Sequence, residues 1–235
     1  MKPVVVLPTY NEAENLRDLV CQIRLQPGKF HILIVDDDSP DGTGEIADRL
    51  SGEFPGEVQV LHRARKEGLG RAYVAAVRHV LKLDYDVIVQ TDADLSHSPV
   101  YLPALLREIA NSDLVLGSRY VRGVNVVNWD LKRLILSQLA TRYAQLVTGM
   151  RFTDITSGFK CWRRETLEAI GLDRVFSNGY LFQIETTYRA HRMKFRIAET
   201  PIIFYERNFG RSKIHLGIIL EALLGVIRLR LGLHR

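Results

Sequence analysis

Over residues 3 to 117 the chain alternates short apolar runs with stretches of helical periodicity, and few folds accept that rhythm. Apolar runs of strand length lie at Pro3–Leu7, Ile32–Val35, Val58–Leu61, Val87–Thr91 and Leu114–Gly117. Helical patterns fill the gaps at Glu12–Arg24, Asp41–Leu50, Leu69–Leu83 and Val100–Ile109. Strand, helix, strand in succession demands right-handed crossovers, so the expected fold class is α/β: a mostly parallel sheet with helices on both faces. A length of 235 residues with 46% hydrophobic and 25% charged side chains suits one well-buried domain and a short C-terminal appendage.

An open α/β sheet binds ligands at the carboxyl ends of its strands. Three of the early apolar runs end there in polar residues: Thr9-Tyr10-Asn11-Glu12, Asp36-Asp37-Asp38-Ser39 and Asp92-Ala93-Asp94. Three strands thus deliver polar side chains to one crevice. After Gly117 the rhythm changes to a helix around Leu131–Leu146, a short apolar segment at Gly158–Trp162, a helix near Leu181–His191 and a strand at Arg196–Tyr205. This half is expected to form the other wall of the cleft. Neither an internal repeat nor a linker rich in Pro, Gly or Ser interrupts the chain.

Asp92 and Asp94 directly follow an apolar strand, one pleat apart. A hard cation such as Mg²⁺ or Mn²⁺ prefers oxygen ligands and completes its shell with substrate phosphates, so two carboxylates and a diphosphate make such a site. Ordinary surface turns contain Asp-x-Asp as well. The run Asp36-Asp37-Asp38 needs a cation, hydrogen-bond donors or water to relieve its repulsion, and Asp38 is the one read as merely solvated. Ser39 and Pro40 read as the start of the following helix. A carboxylate at this strand end can accept hydrogen bonds from a nucleoside.

Net charge is 32 − 27 = +5. Six Lys or Arg against Glu206 and Glu221 between Phe204 and Arg235 account for +4 of it, leaving the body nearly neutral. Such a tail fits an anionic membrane surface or a phosphate ligand better than a nucleic-acid track, and interleaved basic and aromatic residues on a strand are lacking. Glu206–Ser212 reads as a loop. Ile214–Ile227 is apolar but shorter than the roughly 20 residues that span a bilayer. It is read as a helix lying on a membrane or on a partner's membrane helices, with an ordinary core helix as the alternative. Cys21 and Cys161 show neither metal-site nor disulfide spacing and are expected to be buried thiols. The N-terminus carries no signal-peptide pattern, and the expected location is cytoplasmic, peripheral on the cytoplasmic face of a membrane.

Taken in order, Pro8-Thr9-Tyr10-Asn11-Glu12, Val35-Asp36-Asp37, Gly68-Leu69-Gly70, Asp92-Ala93-Asp94-Leu95-Ser96-His97, Gly117-Ser118-Arg119-Tyr120, Trp129-Asp130-Leu131-Lys132-Arg133 and Arg207…Gly210-Arg211-Ser212-Lys213 resemble the family 2 inverting glycosyltransferases. Within them the set is most similar to the dolichol-phosphate (polyprenol-phosphate) mannose synthases, and the likeness spans nearly the whole chain. The resemblance implies a GT-A, Rossmann-like fold over residues 1–213, followed by an amphipathic, membrane-associating helix at 214–235. It implies metal-dependent transfer of mannose from GDP-mannose to a polyprenyl phosphate. Pro8, Tyr10, Glu12, Val35 and Asp37 would hold the nucleoside, with Asp92 and Ala93 completing that wall. Asp94, with Asp92 and Ser96, would ligate Mg²⁺ or Mn²⁺; other members place an amide where Ser96 stands. Arg119, Arg133 and Ser137 would receive the acceptor phosphate. Arg207 and Lys213 would close over the donor diphosphate, with Arg119 also on the donor side. Asp94, Arg119, Arg133 and Arg207 are the residues expected to carry catalysis. Many prokaryotic members continue into transmembrane helices, whereas this chain stops at Arg235; a peripheral form, a subunit recruiting a membrane-anchoring partner and a truncated form all accommodate that.

The chemistry agrees with the inventory. A phosphate monoester has a second pKa of about 6 and is already anionic near neutral pH, so no general base is needed. Two anionic groups must be held close together, which asks for bidentate Arg donors and a metal on the leaving diphosphate. Hexosyl transfer from a UDP-sugar to the same lipid is the nearest alternative. A non-catalytic nucleotide-sugar-binding module or a nucleic-acid binder is the alternative of another class, and the paired acids speak against an inert module.

Overall fold

The structure is a computed structural model and describes residues 1–206 and 216–232, with the side chains of all of these except 180 and 216–222. In chain order the first half runs β1 (Pro3–Thr9), α1 (Leu16–Arg24), β2 (His31–Asp36), α2 (Thr43–Glu53), β3 (Val58–His62), α3 (Leu69–Val80), β4 (Val87–Gln90), α4 (Leu102–Glu108) and β5 (Leu114–Ser118). The second half runs β6 (Val126–Val127), α5 (Leu131–Thr148), β7 (Lys160–Arg163), α6 (Arg164–Ile170), α7 (Gly179–Arg192), β8 (Ile197–Pro201), β9 (Phe204–Tyr205) and α8 (Leu216–Leu231).

Seven strands form one sheet in the order β3-β2-β1-β4-β7-β5-β8, and β6 pairs with β9 in a small second ribbon. Within the large sheet every pairing is parallel except those of β7, which runs antiparallel to both β4 and β5. Because β7 reverses direction twice over, β5 again points the same way as β4. The carboxyl ends of β1, β2, β4 and β5 therefore share one edge of the sheet.

The central strands are apolar on both faces because helices cover both. Val87 and Val89 of β4 join Leu16, Leu19, Val20 and Ile23 of α1 and Leu102 and Leu105 of α4. Ile88 turns the other way, to Tyr73 and Val77 of α3 and Phe182 of α7. A third cluster joins Ala144 of α5, Leu181, Ile184 and Tyr188 of α7, and Val226 and Leu229 of α8. α8 approaches α7 so closely that a Cβ on Gly225 would lie within van der Waals overlap of Leu181.

Several boundaries differ from the sequence expectation for local reasons. α1 starts at Leu16 because Asn11 has a φ of 61° and the Glu12 carbonyl accepts from Asn15 and Leu16, making a turn first. α2 starts at Thr43, after Gly42 at φ 89°, with Asp41 Oδ1 accepting from the Thr43 nitrogen and hydroxyl. Ser39 instead donates to Asp36, at 3.1 Å from its nitrogen and 2.6 Å from its hydroxyl, so the Ser39-Pro40 helix start is corrected. The single strand expected at Arg196–Tyr205 is two, because β8 ends at Pro201 opposite Ser118 and the chain then crosses to pair with β6. Both cysteines are free thiols, Cys161 buried and Cys21 half-buried.

Candidate active site

The first wall of the site is built where β1 and β2 end. Asp36, buried, accepts from Thr9 Oγ1 at 3.0 Å and from Ser39, so its carboxylate ties two strand ends together. Asp37 is buried beside it and meets Arg63 Nη1 at 2.5 Å. Burial pushes the Asp37 carboxyl above its ordinary value, and the Arg63 guanidinium offsets this only in part. Tyr10 lies under Lys66, whose Nζ is 3.6 Å from the ring centroid. Glu12 is fixed through its nitrogen on Thr43 Oγ1 and its carboxylate on Asn15 Nδ2. Pro8 is half-buried at the same edge. Val35 and Ala93 are buried as whole residues, main chain included, so the structure places them behind this edge and offers neither to a ligand.

Asp92 and Asp94 follow β4. Asp94 is buried, and its Oδ1 accepts from the Ser96 nitrogen at 3.1 Å and the Ser96 hydroxyl at 2.5 Å. Ser96 thus orients Asp94. Asp92 retains 32% side-chain exposure. It lies against Gly158 at the mouth of β7, where a Cβ would sit 3.3 Å from Asp92 Oδ2. Among the described residues no three His, Cys, Asp or Glu gather into a metal cluster. Two hard oxygen donors nonetheless fit a divalent cation whose shell is completed by diphosphate.

The opposite wall starts at the end of β5. Asp154, with no exposed surface, takes the Arg119 fork: Nε at 2.7 Å and the backbone nitrogen at 3.0 Å on Oδ2, and Nη2 at 2.6 Å on Oδ1. Three rings surround the Arg119 guanidinium, those of Tyr120, Trp129 and Phe204, at 5.3, 5.4 and 5.6 Å from their centroids. Arg133, on the first turn of α5, stacks 4.3 Å from the Trp129 centroid and pairs with Glu206 at 2.6 Å. One turn on, Ser137 shares a hydrogen bond with the Tyr120 hydroxyl at 2.9 Å. Arg119, Arg133 and Ser137 are thereby brought together around Trp129 and Tyr120.

His97 joins the two walls. Its buried ring packs on Phe159 and Phe204, with Nδ1 3.8 Å from Asp92 Oδ2. Burial pushes its pKa down to about 4; Asp94 opposes that shift and Arg119 adds to it. The ring is therefore neutral near pH 7. The Tyr205 nitrogen donates to the Ser96 carbonyl at 3.1 Å, and the Glu206 nitrogen to the Val127 carbonyl at 3.1 Å, so the β6/β9 ribbon stitches the acid turn to the arginine wall. Arg207 and Lys213, with the loop assigned to close over the donor, lie outside the described residues. Sequence reasoning passed over Arg63, Asp154 and Glu199, and quoted His97 in the motif after β4 without giving it a role. The polar turn Asp154-Ile155-Thr156-Ser157-Gly158 ahead of an apolar strand was the available signal for one of them.

A mostly parallel α/β sheet with one reversed strand, carrying a paired-acid turn and an arginine cluster at its carboxyl edge, is the architecture of a GT-A glycosyltransferase. The sequence profile of glycosyl transferase family 2 matches residues 4–171, and the chain belongs to that family. It is 45% identical over 228 residues to the undecaprenyl-phosphate mannosyltransferase of Micrococcus luteus, covering 97% of this chain and 93% of that protein. It is 46% identical over 226 residues to the polyprenol monophosphomannose synthase of Mycolicibacterium smegmatis, covering 96% and 85%. Among solved structures, the mannosyltransferase PcManGT from Pyrobaculum calidifontis, in complex with GDP-Man and Mn²⁺, superposes with a TM-score of 0.63 at 18% identity, covering 97% of this chain and 69% of that one. That likeness concerns the fold.

Proposed function

We propose that this enzyme transfers mannose from GDP-mannose to the phosphate of a polyprenyl lipid, with inversion at the sugar. The observation that carries the reading is that the acid turn after β4 and the arginine wall after β5 share one sheet edge, with His97 touching both sides. The names of the two relatives, an undecaprenyl-phosphate mannosyltransferase and a polyprenol monophosphomannose synthase, each about 45% identical over nearly the full chain, support the choice of substrates.

In this reading Tyr10, Glu12 and Asp37, with Pro8 beside them, seat the nucleoside, and the buried Val35 and Ala93 back that wall. Asp94, oriented by Ser96, and the more exposed Asp92 would hold Mg²⁺ or Mn²⁺ against the donor diphosphate. The cation supplies Lewis-acid neutralisation of charge developing on the leaving group. Arg119, Arg133 and Ser137 orient the acceptor phosphate, one oxygen of which forms the bond to the anomeric carbon as the bond to diphosphate breaks. No side chain has to remove a proton, which suits a site in which His97 is buried and neutral. Arg207 and Lys213 are assigned to the diphosphate on the family resemblance. Turnover measured with GDP-mannose and with UDP-glucose on a short-chain polyprenyl phosphate, with and without Mn²⁺, tests the reading. Product formed from the UDP-sugar alone would replace it with the glucosyl alternative.

A lipid acceptor places the enzyme on a membrane, and α5, which carries Arg133 and Ser137, has the surface for it. Leu131, Ile135, Leu139 and Leu146 are exposed at helical spacing on one side of that helix, and Leu224, Ile227 and Leu231 are exposed on α8. Lys132, Arg142, Arg228 and Arg230 are exposed on the same two helices. α8 therefore has two faces, one packed on α5 and α7 and one outward. No described helix is long and apolar enough to cross a membrane. Each buried Leu or Ile contributes about 1.5–3 kcal/mol, and each basic residue near anionic lipid about 1 kcal/mol. Ile135→Glu with Leu139→Glu is expected to lower flotation with phosphatidylglycerol vesicles by at least about tenfold, the equivalent of 1.4 kcal/mol. Flotation equal to that of the parent protein would remove this surface from the proposal.

A further inference from the structure

The ion pair at the end of β5 is directional. Asp154 has no exposed surface, whereas the Arg119 side chain keeps 11% exposure. The carboxylate is therefore the buried base of the pair and the guanidinium its outward end. Nothing about that geometry is loose. Thr156 Oγ1 accepts from Arg119 Nη2 at 2.8 Å and donates to Asp154 Oδ1 at 3.2 Å. Glu199 of β8 receives the backbone nitrogens of Thr153 and Asp154, at 2.8 and 3.0 Å, and the Thr153 hydroxyl at 2.7 Å. Thr153 in turn shares a hydrogen bond with Ser118 at 2.8 Å. The turn that carries Asp154 is thus pinned to β5 and β8 at once, and the arginine is held by a base that cannot shift alone.

We infer that Asp154 is a positioning residue: together with Thr156 it fixes the plane of the Arg119 guanidinium so that its outward edge meets the acceptor's phosphate. This rests on the acceptor-side reading above. An arginine otherwise loses its rotamer freedom when it binds, whereas one frozen in advance by a fork-to-fork carboxylate has already lost it, and its remaining edge is presented at a set angle. The surrounding rings restrict it further without competing for its hydrogen bonds, since they contact the guanidinium through their π-systems. The clamp also solves a charge problem. Arg119 and Arg133 stack on the same Trp129, and two guanidiniums so near each other repel unless each has its own carboxylate. Asp154 serves one and Glu206 the other.

The test compares two equilibria in the same protein: binding of a short-chain polyprenyl phosphate, and binding of GDP-mannose with Mn²⁺, both by calorimetry. Asp154→Asn keeps the shape and one acceptor but loses the charge and half the fork. It is expected to weaken polyprenyl phosphate by at least about tenfold, as loss of a hydrogen bond to a charged group does, while donor affinity stays within about twofold. Thr156→Val is expected to move acceptor affinity the same way by about threefold. In an Arg119→Lys background, where the side chain cannot donate the two-pronged fork, adding Asp154→Asn should cost less than about threefold more. A merely structural ion pair would lower the melting temperature and shift both equilibria together, or neither, and that result overturns the inference. Should Asp154→Asn not fold, unchanged acceptor binding in Thr156→Val overturns it. Failure of the parent protein itself to bind polyprenyl phosphate overturns the acceptor reading, and the inference with it.

Discussion

Asp94→Asn is expected to lower turnover by about a thousandfold, the rate equivalent of roughly 4 kcal/mol, because a metal at the leaving group supplies several kcal/mol of charge stabilisation. The asparagine oxygen can still accept from the nitrogen and hydroxyl of Ser96, so the turn after β4 keeps its shape. What changes is the charge offered to the cation. The measurements are turnover at saturating GDP-mannose, Mn²⁺ affinity by calorimetry, and a melting curve to show that the fold is intact. A variant that keeps turnover within tenfold of the parent, or that loses it only by unfolding, would remove Asp94 from the centre of the mechanism. Asp92→Asn is the informative companion, since Asp92 is the more exposed of the two and lies 3.8 Å from His97.

Arg119→Ala should produce the largest loss of stability. It leaves the buried Asp154 carboxylate without its partner, and breaking such a pair from one side costs about 3–5 kcal/mol. The pH dependence carries a distinctive sign. In the parent protein the Asp154 carboxyl lies below its ordinary value: burial acts to raise it, and the Arg119 charge and hydrogen bonds overcome burial. That contribution is complete above the unfolded carboxyl's pKa of about 3.9 and fades as pH falls through it toward the lower folded value. Without Arg119 burial dominates and the folded value lies above the unfolded one. The variant then loses stability as pH rises above about 4. Melting temperatures of the two proteins should diverge between pH 4.5 and 7.5, and a gap that narrows over that interval would contradict the account. Acceptor affinity should fall about ten- to a hundredfold in the folded fraction, as expected for loss of hydrogen bonds to a charged group.

Most of the sheet was legible because parallel strands buried on both faces appear as continuous apolar runs, and β1, β2, β4 and β5 follow that pattern almost to the residue. The direction of β7 was not legible. Four residues with apolar neighbours look the same whichever way they run, and only pairing with β4 and β5 settles it. The residue types at the strand ends singled out Asp37, Asp92 and Asp94, and the structure has all three at the carboxyl edge of the sheet. They did not reveal that Arg63, 26 positions away, meets Asp37. Val35 illustrates a further limit: its strand position was read correctly, but its side chain faces the core. Asp154 was missed because its partner is 35 residues distant and its own surroundings read as an ordinary polar turn. The two readings of the C-terminal helix were alternatives on sequence; in the structure Val226 and Leu229 of α8 pack inward while Leu224, Ile227 and Leu231 are exposed.

The reversed strand β7 also sets a distance. Neighbouring strands stand about 4.8 Å apart, so inserting one between β4 and β5 moves the ends of those two strands to roughly 10 Å from each other. Were β5 hydrogen-bonded directly to β4, the acid turn and the arginine wall would be crowded to half that span, and in the proposed reaction the two phosphates would compete for the same ground. With β7 between them, the sheet acts as a ruler, and the opening it measures out is where a hexose can pass from one phosphate to the other.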